Sequence, residues 1–219
     1  MTDRLSPLQR RILETMAGLE PRWTLTGGGA LAGVYLGHRP TRDLDLFWRE
    51  RRSLGAIVAD AQALLAEAGV DVALLRTSLT FAELRVSDAT DVCIVDLVAE
   101  PFAAIEPPRQ VSVGSAVIAV DSQHEILVAK LTTLLGRMEL RDLVDVRALL
   151  DAGLDFDRAL RDAPKKDGGF SAMTLAWVLE GFDLRPMASA LGWSADETAK
   201  LDTFRLALID RLVRISRPA

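Results

Sequence analysis

The stretch from Thr24 to Trp48, TLTGGGALAGVYLGHRPTRDLDLFW, decides how this chain is read. A short apolar strand, Trp23 to Leu25, leads into three consecutive glycines, Gly27, Gly28 and Gly29. The pattern then predicts a helix through Ala30, Leu31, Val34 and Leu36. A basic corner follows, His38-Arg39-Pro40-Thr41-Arg42, and a second strand runs from Asp43 to Trp48. Side chains two apart on a strand share a face. Asp43 and Asp45 therefore project together, roughly 7 Å apart at Cα, while Leu44 and Leu46 enter the core. Carboxylates side by side on an apolar strand repel each other, and a cation between them relieves the repulsion. Mg²⁺ bound by carboxylates and substrate phosphates is the usual case. The glycine turn at a helix N-terminus supplies the complementary part, because its free N–H groups and the helix dipole favour a phosphate.

Outward from this stretch, composition sets the bounds. A chain of 219 residues holds one large domain or two small ones. Its 49% hydrophobic and 26% charged residues describe a folded globular protein rather than a disordered one. No apolar run is long enough to span a bilayer, and the opening MTDRLSPLQRR lacks the apolar centre of a signal peptide. A single cysteine, Cys93, has no internal disulfide partner and reads as core. These features set a cytoplasmic expectation. The net charge of −5 argues against broad, non-specific nucleic-acid binding. Yet Arg39, Arg42, Arg49, Arg51 and Arg52 flank the Asp-x-Asp strand. Two readings of them stand. They form a basic rim suited to a triphosphate or an RNA end, or Arg49 to Arg52 simply open a solvated helix.

The rest of the chain splits in character. Ser6-Pro7 caps a first helix with Leu8, Ile12, Leu13 and Met16 at helical spacing, ending near Gly18. A second helix is predicted over Arg51 to Ala68, with Ile57, Val58, Ala61, Leu64 and Leu65 as its buried stripe and Gly69 as its stop. Strands follow at Val70 to Arg76, Thr80 to Val86 and Val92 to Val98, and Val111 to Val120 reads as a last strand or hairpin. Asp96 is the one polar residue inside the Val92–Val98 run. It either sits at the strand end with local hydrogen bonds or joins Asp43 and Asp45 from a neighbouring strand. From Ser122-x-x-Glu125, a capping box, the pattern is helical: Ile126 to Leu135, Leu140 to Leu150, Phe156 to Leu160, Phe170 to Phe182 and Ala195 to Ile215, with a linker over 162–169. The expected architecture is α+β: residues 1–120 form a mixed-sheet core with flanking helices, and residues 121–219 a helical region.

The segment EILVAKLTTLLGRMELRDLVDVRALL, Glu125 to Leu150, holds a second constellation. Lys130 lies among Val128, Leu131, Leu134 and Leu135, and Asp142 and Asp145 lie on the next helix. By pattern alone this is an amphipathic hairpin with a snorkelling lysine and surface ion pairs.

The two signatures together resemble a known family. Gly-Gly, a helix, then Asp-x-Asp between apolar residues is similar to nucleotidyltransferases of the DNA polymerase β superfamily. The fuller string GG-x-AL … GHR-x-[ST]-x-DLDLF, followed by AK … R-x-x-x-RD-x-x-D, resembles the AbiEii/AbiGii-type nucleotidyltransferase toxins. Members often carry a hydroxyl residue at the place of Gly29, or a serine at that of Gly28, to which a phosphate hydroxyl contact is lost here. The resemblance implies that Asp43, Asp45 and a third carboxylate, Asp96, hold Mg²⁺. It implies that Gly27, Gly28, Gly29, Arg39, Thr41 and Lys130 meet the phosphates of an NTP, and that Asp145 is a further active-site acid. The implied reaction moves an NMP to an acceptor, an RNA such as a tRNA 3′ end, with an antitoxin protein as partner and no membrane. A small-molecule or protein acceptor, and a catalytically silent nucleotide-binding relative, stand as alternatives.

Overall fold

The computed structural model describes residues 4–217. Met1 to Asp3, which begin the N-terminal stretch considered above, and the last two residues lie outside the described residues. The chain divides into two compact units, Met1–Ile126 and Leu127–Ala219.

The first unit is built on seven strands: β1 (Thr24–Thr26), β2 (Asp43–Arg49), β3 (Asp71–Thr77), β4 (Phe81–Ser87), β5 (Val92–Glu100), β6 (Arg109–Val113) and β7 (Ala116–Val120). Their order across the sheet is β3-β4-β5-β2-β1-β7-β6. Two pairs, β2–β5 and β1–β7, are parallel and the rest are antiparallel. Alternation separates the faces. Leu44, Leu46 and Trp48 of β2, Val95 and Leu97 of β5, and Ala82, Leu84 and Val86 of β4 are buried on one side. Asp43, Asp45, Phe47 and Arg49 stand half-buried on the other. Helices α1 (Pro7–Met16) and α2 (Ile57–Glu67) pack against each other, and α1 also lies on β5, β6 and β7. Ser6 and Gln9 form a reciprocal capping box at the start of α1. The Gln9 amide then donates to Thr41 O at 3.0 Å, tying the helix to the basic corner. Indole donors close the far end: Trp23 Nε1 to Met16 O and Trp48 Nε1 to Pro21 O, each at 2.7 Å.

Three local departures from the sequence expectation have physical causes. The helix after the glycines is a π-helix, Gly29–Tyr35, closed by Leu36 N donating to Leu31 O at 2.8 Å. At Gly33 inside it, a Cβ would stand 2.4 Å from Leu5 Cδ2, so only glycine admits that leucine. Helix α2 starts at Ile57 rather than Arg51. Arg51 N instead bonds Glu100 O at the end of the β2–β5 pair, and positive-φ backbone at Glu50 (φ 58°) before it and Gly55 (φ 55°) after it bends the chain away from a helix. Arg49 consequently belongs to β2, not to a solvated helix. Its guanidinium reaches Asp121 Oδ2 at 2.5 Å and Glu125 Oε1 at 3.5 Å, and both carboxyl side chains are fully buried. Glu125 Oε2 also accepts from Ile105 N. Burial pushes the Asp121 carboxyl above its ordinary pKa, with the Arg49 charge opposing.

Helix α3 (Gln123–Gly136) opens under Ser122, whose hydroxyl accepts from Glu125 N at 3.0 Å. The second unit continues with α4 (Leu140–Asp151), α5 (Phe156–Asp162), α6 (Ala172–Glu180), α7 (Arg185–Ala190) and α8 (Ala195–Ser216). Asp155, Ser171 and Ser194 cap α5, α6 and α8. Helix α8 packs on α6 and α4, burying Leu201, Leu208 and Leu212 with Leu143, Val146, Leu149, Leu175 and Leu179. The expected linker over 162–169 begins as a 3₁₀ turn, Ala163–Lys165, and α7 is too short for its periodicity to register in the sequence. Among the described residues no helix is long and apolar enough to cross a membrane.

Candidate active site

Each glycine of the turn makes room for something different. Gly27 has φ +60°, a left-handed conformation that suits glycine. A Cβ there would stand 2.2 Å from Asp45 Oδ2. At Gly28 it would meet Arg39 Nη2 at 2.9 Å and Thr41 Oγ1 at 3.4 Å. At Gly29 it would meet Leu44 Cδ2 at 3.0 Å and the Asp43 carbonyl at 3.2 Å. The side-chain hydroxyl lacking at 28 is thus replaced in space by the Arg39 guanidinium and the Thr41 hydroxyl. At 29 a side chain would press into the core. Arg39 Nη1 donates to Pro40 O at 3.1 Å, and Asp43 N lies 3.4 Å from Thr41 Oγ1. The turn backbone thus lies directly against Asp45 at Gly27 and against the Arg39 and Thr41 side chains at Gly28.

Strand register sets the acids. In the parallel β2–β5 pair Asp45 lies opposite Asp96, and on the far side of β5 Asp96 lies opposite Glu83 of β4. Thr26 of β1 flanks Asp45, and Arg76 of β3 flanks Glu83, with which it forms an ion pair. One polar row therefore crosses five strands: Thr26, Asp45, Asp96, Glu83, Arg76. A parallel row holds Asp43, Ile94 and Arg85. Asp96 is in mid-strand rather than at a strand end. Its Oδ1 is buried with no hydrogen-bond partner. Its carboxyl is pushed up to about 7, first by burial and then by the charges of Asp45, Glu83 and Asp43, with Arg76 opposing. An orphaned carboxylate oxygen among other carboxylates matches the hard oxygen donors that Mg²⁺ takes. Among the described residues, however, no three His, Cys, Asp or Glu side chains converge closely enough to hold a metal ion. Register brings Asp43, Asp45 and Asp96 to one face of the sheet. Cys93, on the opposite face of β5, is buried, and burial pushes its thiol to about 12.

The second unit holds the other expected residues. Lys130 of α3 is 7% exposed. Its Nζ lies 2.6 Å from Asp142 Oδ1 and 2.9 Å from Asp145 Oδ2 of α4, both fully buried. Arg137 Nε reaches Asp142 Oδ2 at 3.1 Å, whereas Arg141 pairs with Glu139. The lysine does not snorkel. Its ammonium is committed to two carboxylates and staples α3 to α4.

A model of the family described as nucleotidyl transferase AbiEii toxin, type IV toxin–antitoxin system, matches residues 11–214. The chain belongs to this family. As an AbiEii family member it is a nucleotidyltransferase. Comparison of the sequence with curated proteins gave no match. Solved structures agree on the fold. JHP933 from Helicobacter pylori superposes with a TM-score of 0.53 at 18% identity, covering 95% of this chain and 92% of that one. A second H. pylori protein, provisionally termed a nucleotidyltransferase, gives 0.54 at 17% identity, covering 98% and 100%. An antigenic nucleotidyltransferase-like protein from Paracoccidioides brasiliensis gives 0.51 at 15% identity, covering 85% and 93%.

Within this AbiEii chain the structure gathers Gly27, Gly28, Gly29, Arg39, Thr41, Asp43, Asp45 and Asp96 in the first unit, and Lys130 and Asp145 in the second. Glu83, Arg76 and the buried role of Arg49 escaped the sequence reading. The alternation Phe81, Glu83, Arg85 against Ala82, Leu84, Val86 was available to place Glu83 on the polar face. Its position beside Asp96 needed the hairpin register.

Proposed function

We propose that this protein is a Mg²⁺-dependent enzyme that transfers an NMP from an NTP to an RNA acceptor, the 3′ end of a tRNA, as the toxin of a toxin–antitoxin pair. The observation that carries the reading is the Asp45–Asp96 register beside the glycine turn. Carboxylates facing each other beside a turn whose backbone lies against Asp45 suit a metal-bound triphosphate. Asp43, Asp45 and Asp96 are the residues that would hold Mg²⁺, which when bound supplies positive charge to the triphosphate and acidity to the attacking hydroxyl. The amides after Gly27 and Gly28, with Arg39 and Thr41, orient the β and γ phosphates and fix the α-phosphorus for in-line attack. Asp96, opposite Asp45 in the strand register, would accept a hydrogen bond from the acceptor hydroxyl. Lys130 and Asp145 hold the start of the helical region as an ion-paired unit, and Asp145 acts by orienting Lys130. Residues 1–120 serve as the catalytic core and 121–219 as the helical region that helps hold the acceptor. The cytoplasm, where NTP and tRNA reside, is the compartment this assigns, with an antitoxin as cognate partner.

The test is incubation with each α-labelled NTP, Mg²⁺ and total tRNA, beside Asp45→Asn. Label on RNA with the parent protein alone supports the reading. Label on a small-molecule pool or on protein instead overturns the RNA assignment, and NTP binding without transfer to any acceptor overturns the catalytic one.

A further inference from the structure

Outboard of the acid row, the β3–β4 hairpin presents three side chains in succession on the same sheet face. Arg85 lies in the row of Asp43, Arg76 in the row of Asp45 and Asp96, and Phe81 in the next row, opposite Val98 and, beyond it, Phe47. Successive rows are roughly 7 Å apart along a strand, a stride comparable to one nucleotide of an extended polynucleotide. Arg85 is exposed and makes no ion pair among the described residues. The Arg76 side chain is 68% exposed although it pairs with Glu83, and its guanidinium lies 5.5 Å from the centre of the Phe81 ring. Two arginines and an aromatic ring at regular intervals beside an acidic, metal-type centre form an unusual edge for a chain of net charge −5. A cationic strip of this kind complements a polyanion, and an arginine-backed ring complements the face of a base.

We propose that the β3–β4 hairpin is the track on which the acceptor strand lies, with phosphates on Arg85 and Arg76 and a base against Phe81. The terminal hydroxyl is thereby led along the Arg76–Glu83 row to Asp96. This rests on the RNA reading given above and adds the residues that hold the strand. An acidic protein surface would also meet the arginines, but it would have no use for the ring at the next step. The NTP is held elsewhere, at Gly27, Gly28 and Arg39, so the track and the nucleotide site are separable.

The experiment compares the parent protein with Arg85→Gln, Phe81→Leu and Arg22→Gln, a control outside the track whose guanidinium pairs with Glu20. It measures binding of a labelled single-stranded oligoribonucleotide over a salt series, NTP affinity, and the KM for tRNA. Arg85→Gln is expected to reduce the slope of log affinity against log salt by about 0.7, the share of one single-strand phosphate contact. Phe81→Leu is expected to weaken binding about fivefold or more at every salt, as loss of one stacked base does. Both should raise the KM for tRNA and leave NTP affinity unchanged, and Arg22→Gln should match the parent. RNA affinity and slope unchanged in both track variants, with the parent still labelling RNA, overturns the track and leaves the RNA reading standing. A parent protein that labels only protein or small molecules, and does not bind the oligonucleotide, overturns both.

Discussion

Gly27→Ala tests the site geometry with an internal control. Two penalties act at this position and they separate cleanly. The first is conformational: φ of +60° costs a non-glycine residue about 1–2 kcal/mol. The second is steric and local. The new Cβ would stand 2.2 Å from Asp45 Oδ2 and 2.8 Å from Asp45 Cγ. Carbon–oxygen contacts are comfortable from about 3.3 Å, so the carboxylate must swing away by about 1 Å. Misplacing a reacting group by that much lowers a rate by about 10²-fold. Gly55 provides the matched comparison. It has φ +55°, and a Cβ there would meet nothing within 4 Å. Gly55→Ala therefore carries the first penalty without the second. Urea unfolding should show both variants losing about 1–2 kcal/mol. In the labelled-NTP transfer assay Gly55→Ala should retain the parent rate while Gly27→Ala falls about 10²-fold. Equal rates in the two variants would refute the claim that Gly27 exists to seat the Asp45 carboxylate.

Three further outcomes follow from buried charges and the thiol. Arg49→Met leaves Asp121 and Glu125 buried without their shared cation and should destabilise the protein by about 3–5 kcal/mol at neutral pH. The Asp121 carboxyl already sits above its unfolded value, and loss of Arg49 raises it further. Stability in the variant is therefore greatest below the unfolded pKa and is lost as pH rises through the folded one. The deficit against the parent should shrink between pH 8 and pH 5, and urea melts showing no pH dependence of that deficit would contradict the assignment. Lys130→Met removes the ammonium shared by two fully buried carboxylates in the helical unit and should also cost about 3–5 kcal/mol; a variant as stable as the parent would mean that the ammonium is not the staple described. Cys93, buried with its thiol pushed to about 12, should react with a thiol reagent at pH 8 only on unfolding, so rapid labelling of the native protein would be inconsistent with its place in β5.

Most of the candidate site was legible as a cluster because it is local in sequence. The glycines, Arg39, Thr41, Asp43 and Asp45 all fall within one stretch, and period-two alternation alone puts both acids on one face. Asp96 was visible only as a misfit, since a carboxylate in an apolar run announces a cost without naming its partner. Its opposition to Asp45 is a fact of parallel register, which no local pattern encodes. The same limit hid Glu83 and Arg76. Arg49 stood open between a basic rim and a solvated helix start, and only the fold brings Asp121 and Glu125 to it. Lys130 shows the reverse case. Its amphipathic context suggested snorkelling, yet two aspartates one helix away, at Asp142 and Asp145, neutralise it within the core.

The parallel β2–β5 pair also governs when the acid row can exist. Asp45 and Asp96 are separated in the chain by α2, β3 and β4, and antiparallel hairpins at β3–β4 and β4–β5 can form from neighbours alone. The β2–β5 ladder cannot close until Glu100 has been made and the intervening helix and hairpin have folded back. A chain still emerging from the ribosome thus carries the glycine turn and Asp45 early and gains Asp96 opposite Asp45 late.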